Sequence, residues 1–224
     1  MKITHIAHCG FLIETENEYL LFDYYKGEIP EILNNKPLYI FESHFHKDHF
    51  NPKVLSYENA VFLLSSEITD FPKELKVISV SPDNTYNLSE NLSVKTFDST
   101  DIGVSFLVFT KEKTIFHGGD LNLWLWETDT IEEKEKMEIK FKSEIEKIKN
   151  HKIDLAFLHL DPRQEEYAPL GLLYFNEKAN PEKIFPMHFW GKYKYVKREI
   201  DEGALSNLKE KLFIPDKENN VFYL

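Results

Sequence analysis

The chain has 224 residues, a formal net charge of -11, a hydrophobic fraction of 42% and 18 phenylalanines, enough for a sizeable core in one domain spanning 1-224. No basic stripe offers phosphates a landing surface, so a nucleic-acid partner is disfavoured. Cys9 is the only cysteine, which excludes a disulfide framework, and the opening MKITHIAHCG has no long apolar run, so neither signal peptide nor membrane span is expected and the protein is read as cytoplasmic.

Lys2 to Ala7 and Phe11 to Glu14 alternate apolar and polar residues and predict strands, with Glu16-Asn17-Glu18 as a hairpin turn into a third strand, Tyr19 to Phe22. Glu31 to Asn34 predicts one helical turn ahead of a strand at Leu38 to Phe41. A short helix over Pro52 to Tyr57 follows, and then strands at Ala60 to Leu64, Lys76 to Val80, Tyr86 to Leu88, Ser93 to Phe97, Val104 to Thr110 and Thr114 to His117. The pattern then changes. Ile131 to Asn150 is highly charged, with Met137, Phe141, Ile145 and Ile148 at helical spacing, and reads as a surface helix with one buried stripe. Ile153 to Leu158 and Lys183 to Met187 are strands flanking a loop and helix over Pro162 to Ala179. Tyr193 to Leu212 is helical in part with a break at Gly203, and Val221 to Leu224 closes a sheet.

The chemistry concentrates in Phe41 to Pro52, FESHFHKDHFNP, which packs His44, His46, Asp48 and His49 into six residues on the loop leaving a strand. Asn51 and Pro52 suit the N-cap and first position of the helix that follows. In an extended segment residues two apart face the same way, so His44 and His46 can share one ion, and the turn into the helix aims Asp48 and His49 toward a second. Imidazole and carboxylate suit zinc, and also iron or manganese.

His-x-His-x-Asp-His resembles the signature of the metallo-β-lactamase-fold hydrolases, and the rest of the chain carries further segments in the expected order. Ile115 to Asp120 resembles the strand whose aspartate bridges two metals. Pro186-Met187-His188-Phe189 resembles the late strand whose histidine completes the second site, and Leu21-Phe22-Asp23 the early strand ending in a supporting aspartate. The resemblance implies an α/β four-layer αββα sandwich and two divalent ions, zinc first, with a hydroxide between them. His44 and His46 would hold the first ion, Asp48, His49 and His188 the second, with Asp120 shared. Thr4 to Thr15 and the sequence around Asp120 look closest to bacterial hydrolases of the ascorbate-phosphate lactonase type. One position departs from the pattern: the third histidine of the first site is absent, and its loop reads Phe97-Asp98-Ser99-Thr100-Asp101-Ile102-Gly103. Asp101 or Asp98 could enter as an oxygen ligand, Thr100 could hold a water, or the place could be left to solvent, which is the expectation here.

Around this set, His8 is either a wall of the site or core, Cys9 a small buried residue and His117 structural. Asp161 is a candidate proton donor to a leaving group and Arg163 an anion binder, with a salt-bridged loop the alternative. Trp124 and Trp126 are pocket wall or core. Asp48, Asp120 and Asp161 are thus the expected catalytic residues of a hydrolase acting on a small ester, lactone or phosphodiester. A phosphodiesterase or nuclease of the same fold, and a degenerate metal-binding protein with little turnover, are the competing readings. Fold alone does not choose among them, and the oligomeric state is open.

Overall fold

The computed structural model describes residues 1–33 and 35–224. Glu31, Ile32 and Leu33 carry no regular structure, and Asn34, the end of the expected helical turn, lies outside the described residues. The early strands are β1 (Lys2–Ala7), β2 (Gly10–Glu14), β3 (Tyr19–Phe22), β4 (Leu38–Glu42), β5 (Val61–Ser65) and β6 (Lys76–Val80). The middle of the chain forms β7 (Thr85–Ser89), β8 (Leu92–Asp98), β9 (Val104–Phe109) and β10 (Thr114–His117). Then come α1 (Ile131–Ile148), β11 (Leu155–His159), α2 (Leu170–Ala179), β12 (Lys183–Met187), α3 (Tyr193–Asp201) and β13 (Asn220–Tyr223).

Two sheets result. One runs β13-β1-β2-β3-β4-β5-β6 and the other β12-β11-β10-β9-β8-β7. The central strands are apolar on both faces because both faces are covered. Successive residues split between layers: Leu20, Phe22 and Phe41 face the other sheet, while Leu21, Leu38 and Ile40 face outward. The inter-sheet core joins these to Phe106, Phe157 and Phe185. The outer face of the second sheet, with Phe116, Ala156 and Leu158, is covered by α1 through Phe141, Ile145 and Ile148 and by α2 through Leu172 and Phe175. Thr130 and Glu133 form a capping box that fixes the start of α1.

The outer face of the first sheet is covered differently. The short helix expected over Pro52 to Tyr57 is a 3₁₀ turn, Pro52–Ser56, opened by Asn51 accepting from the Lys53 N–H. Val54 seats it on Ile40, Phe62 and Leu64. Five residues with a proline at the start make one turn, too few to propagate an α-helix. The mixed α/β, two-sheet architecture holds, with the α layer on this side reduced to a turn and loops among the described residues. Pro186 is accommodated because β12 is an edge strand. No helix is long and apolar enough to cross a membrane.

Strand direction places the site. β3, β4 and β5 are mutually parallel, as are β10, β11 and β12. Their C-terminal ends therefore meet at one edge, carrying Asp23, His44, Asp120, His159 and His188. The loop lacking the third histidine is clamped there: the Val104 N–H donates to the Ser43 carbonyl at 3.0 Å. Gly103 has φ +79°, and a Cβ there would lie 2.6 Å from the Cβ of His44. Gly103→Ala is therefore expected to cost about 2–4 kcal/mol, lowering the melting temperature by roughly 5–15 °C. Calorimetry reads this, and an unchanged melting temperature would mean that the loop is not seated against the histidine motif.

Candidate metal centre

The site grows from two buried carboxylates. Asp23 closes β3 in a left-handed conformation, φ 39°, with no exposure. Its Oδ1 accepts from the Ser43 N–H at 2.8 Å and its Oδ2 from the Ser43 hydroxyl at 2.7 Å and from His49 Nδ1 at 2.8 Å. Burial opposes ionisation of Asp23, but the His49 hydrogen bond and the charges on His117 and His49 outweigh it and hold its pKa to about 2. Because the Ser43 hydroxyl proton goes to Asp23, its oxygen is left to accept from His44 Nδ1, 3.0 Å away. One carboxylate thereby fixes two tautomers. Both His44 and His49 carry a proton on Nδ1 and turn Nε2 toward the centre. Burial lowers the His49 pKa, but the Asp120 charge and the hydrogen bond to Asp23 outweigh it and raise it well above the usual histidine value, so an ion there would displace the His49 Nε2 proton.

Asp161 does the same for His188, whose Nδ1 lies 3.0 Å from Asp161 Oδ2. His188 is also left-handed, φ 60°, which turns its ring back from the end of β12. These strained residues persist because surrounding contacts over-determine them. Burial lowers the His44 pKa to about 4 and the His188 pKa to about 3, so both rings are neutral near pH 7.

Asp120, immediately after Gly118-Gly119, enters the middle. Its Oδ1 is 3.0 Å from His49 Nε2 and 3.5 Å from His188 Nε2, and its Oδ2 is 3.6 Å from His44 Nε2. Asp48 Oδ2 is 3.7 Å from His188 Nε2, and His46 Nδ1 is 3.1 Å from His44 Nε2. In tetrahedral geometry with metal–nitrogen bonds of 2.0–2.1 Å, ligand atoms sit roughly 3.3 Å apart. The separations match that edge. The Nε2 atoms of His49 and His188 are also buried without any hydrogen bond among the described residues, a costly arrangement that an ion would relieve. The donor set therefore fits a two-ion centre. His44, His46 and Asp120 could hold one ion, and Asp48, His49, Asp120 and His188 the other.

The structure brings together all six residues expected to bind metal. The loop at Phe97 to Gly103 resolves into three different roles. The Asp98 carboxylate accepts from the Ser99 N–H. The Thr100 hydroxyl donates toward the carbonyls of Asp120 and Asn122 and accepts from the Asn122 N–H, so it is not free to hold a water on a metal. Asp101 alone faces the first site, with Oδ2 3.7 Å from His46 Nδ1.

Asp161 needs correction as a proton donor. It is fully buried, gripped by Arg163 through Nε and Nη2, and bonded to His188. Burial raises its pKa, but the His188 and Arg163 hydrogen bonds outweigh this and hold it well below the usual carboxylate range. A carboxylate that remains ionised and faces a histidine ring supports that ring and has no proton to give. Its salt bridge to Arg163 and its orienting role coexist.

His8 is buried directly against the site and does not line its pocket. Its ring lies 4.2 Å from that of His188 and its Nε2 3.6 Å from Asp48 Oδ2. Cys9 is fully buried, with burial pushing its thiol up to about 12. His117 is structural, bonded to the Cys9 carbonyl and the Gly119 N–H. His159 was not anticipated. It ends β11, and its Nε2 is 3.0 Å from Asp120 Oδ1. Its Nδ1 has no partner among the described residues, unlike that of His44, His49 or His188, so it reads as a donor orienting Asp120 and not as a further ligand. The signal lay in topology: β11 runs parallel between the strands leading to Asp120 and His188.

Asp161→Ala is expected to weaken ion binding at the second site by about 10–100-fold. Competition against a chromophoric chelator measures it. Retained affinity with lost turnover would restore the proton-donor role.

No protein-family model matches the chain, and no curated protein sequence does. Solved structures do. Igni18, a novel metallo hydrolase from the hyperthermophilic archaeon Ignicoccus hospitalis, superposes with a TM-score of 0.70 at 17% identity, covering 100% of this chain and 98% of that one. YhfI, a metallo-beta-lactamase fold protein from Bacillus subtilis, gives 0.66 at 13% identity over 99% and 98%. CmlA, a diiron beta-hydroxylase from Streptomyces venezuelae, gives 0.64 at 11% identity over 100% of this chain and 54% of that one. With two sheets, helices outside and the site at their shared edge, the chain has the metallo-β-lactamase fold.

Proposed function

We propose that the protein is a metal-dependent hydrolase of a small ester, lactone or phosphodiester. The observation that carries this reading is the convergence on Asp120 of three buried imidazoles, each tied back through Nδ1 so that Nε2 faces the centre. Divalent ions held by His44, His46, Asp48, His49, Asp120 and His188 would supply polarisation of a substrate oxygen and a lowered pKa for nearby water. The chain does the rest. Asp120 presents one oxygen to each half of the centre, and Asp48 faces the pocket beside His188. His159 holds Asp120 in place, and Trp124 Nε1 donates to the Asp120 carbonyl at 3.0 Å. No serine or cysteine nucleophile is required, and Cys9 is too deeply buried to serve as one.

In this proposal Asp101, whose Oδ2 is 3.7 Å from His46 Nδ1, is the oxygen donor available to the first site, in place of the solvent expected there from the sequence. An oxygen donor there shifts preference from zinc toward manganese or iron. Zinc remains the first expectation for the second site, where the imidazoles of His49 and His188 join the carboxylates of Asp48 and Asp120. The pocket at the centre has a volume of about 350 Å³, which suits a small molecule. The net charge of -11 speaks against a nuclease. The likeness of Thr4 to Thr15 to ascorbate-phosphate lactonase-type hydrolases motivates including lactones, and the lone buried thiol motivates a cytoplasmic setting.

Protein loaded separately with zinc, manganese and iron, assayed on ester, lactone and phosphodiester panels beside Asp120→Asn, tests the proposal. Wild type is expected to turn over at least one class with two bound ions. The variant should lose that activity by at least about 10³-fold, the scale of removing a centre of electrostatic stabilisation, and lose bound metal while its ion-free melting temperature changes little. Two tightly held ions with no turnover of any class would favour the degenerate metal-binding reading.

A further inference from the structure

We infer that the pocket takes a substrate carrying an oxyanion, a carboxylate or phosphate, on a flat apolar body, with Arg163 as the anion-binding residue. This inference rests on the hydrolase reading for its scissile group, but not for the binding it describes. The wall opposite the metal ligands is built from Leu121 to Trp126, LNLWLW. Leu121, Leu123 and Leu125 are buried in the core beneath α1 and α2, and the alternate residues Trp124 and Trp126 line the pocket. Their indoles stack at 6.2 Å with an interplanar angle of 7°. Met137 of α1 adds a third apolar side chain. This is a flat, apolar surface kept beside a charged centre.

The segment is held by buried polar groups that have no other evident task. Gln164, 1% exposed, donates from Nε2 to the carbonyls of Leu123 and Leu125 and accepts from Asn122 Nδ2. Gln164 belongs to the same turn, Pro162–Tyr167, as Arg163, and that turn is opened by Asp161. Three residues of one turn thus reach three targets: Asp161 the His188 ring, Gln164 the indole wall, and Arg163 the pocket between them. Such a turn fixes the distance from metal ligand to guanidinium to indoles.

Arg163 is set for a ligand. Its guanidinium lies 4.6 Å from the Trp190 ring centroid and 5.9 Å from that of Trp126. Its Nε and Nη2 bond to Asp161, which occupies the side edge and leaves the end edge, Nη1 with the second Nη2 proton, without a protein partner among the described residues on a side chain that lines the pocket. That edge is a planar two-donor fork, the shape that pairs with a carboxylate or phosphate. Its side chain retains 47% exposure while Asp161 is at 0%, so the pair is buried at one end and open at the other. A salt bridge serving only to support His188 would not require an arginine aligned over two tryptophans at a pocket wall.

The test uses metal-loaded protein and two matched esters, phenyl acetate and 4-acetoxybenzoate, which differ by one carboxylate. Wild type is expected to prefer the anionic ester in kcat/KM, and Arg163→Gln to reduce the ratio of the two kcat/KM values by at least about tenfold, the scale of one charge-assisted hydrogen bond. Both esters use the same metal centre, so any damage transmitted through Asp161 cancels in the ratio. Benzoate and phenyl phosphonate binding, read by quenching of tryptophan fluorescence, supplies an arm independent of turnover and separates carboxylate from phosphate preference. If neither ester is hydrolysed but either anion binds, and binds at least about tenfold more weakly to Arg163→Gln, ester hydrolysis fails and the anion site stands. An unchanged ratio, or anion binding equal in wild type and variant, overturns the inference.

Discussion

The site depends on the protonation pattern of three buried imidazoles. A histidine ligates only through a lone pair, and a buried ring free to choose its tautomer would present that lone pair in the right direction part of the time. Asp23 removes the choice for His49 directly and for His44 through the Ser43 hydroxyl, and Asp161 removes it for His188. Each carboxylate is itself fully buried and fully hydrogen-bonded, so neither can relax by turning to water. Asp23 sits on the first sheet and Asp161 follows a strand of the second. The joint between the sheets is therefore also what assembles the centre.

Much of this was legible in the sequence where the contact is local. His44, His46, Asp48 and His49 lie within six residues, so spacing and strand-end context suffice to group them. Strands were legible from alternating or continuous apolar residues, and α1 because Met137, Phe141, Ile145 and Ile148 repeat at helical spacing. Long-range roles were not. Ser43 looks like a spacer until Asp23, twenty residues earlier, is brought against its backbone by the parallel register of β3 and β4. His159 becomes a neighbour of Asp120 only when β11 inserts between β10 and β12. Asp161 sits on a strand end that does point at the site. Whether its carboxylate faces substrate or a ring is decided by the left-handed turn at His188, φ 60°, which a sequence does not disclose. The short helix after the motif is present in 3₁₀ form: an N-cap and a proline begin it, and with one turn it is too short to propagate as an α-helix.

The two halves of the centre are unequal by construction. The second half is enclosed by His49, His188, Asp48 and Asp120, with the His8 ring tilted against that of His188. The first has His44 and Asp120 buried but His46 and Asp101 each more than two-fifths exposed at the side chain. An enclosed set of preset donors loses less entropy on binding than an exposed pair that must be ordered, so we propose that an ion at the second site would be held more firmly than one at the first. Among structures of similar fold are both a metallo hydrolase and a diiron hydroxylase, so the fold by itself leaves the chemistry to these local differences.

Anomalous diffraction from crystals of the metal-loaded protein addresses the tautomer-locked centre most directly. The expected map has its stronger peak within about 2.0–2.2 Å of the Nε2 atoms of His49 and His188 and of Asp120 Oδ1. A weaker peak should lie at His44 Nε2 and His46 Nδ1, with Asp23, Ser43 and Asp161 bonded to the far side of their rings. A peak bound through Nδ1 of His44, His49 or His188, or carried by Asp23 or Asp161 directly, would contradict the arrangement on which every later step rests.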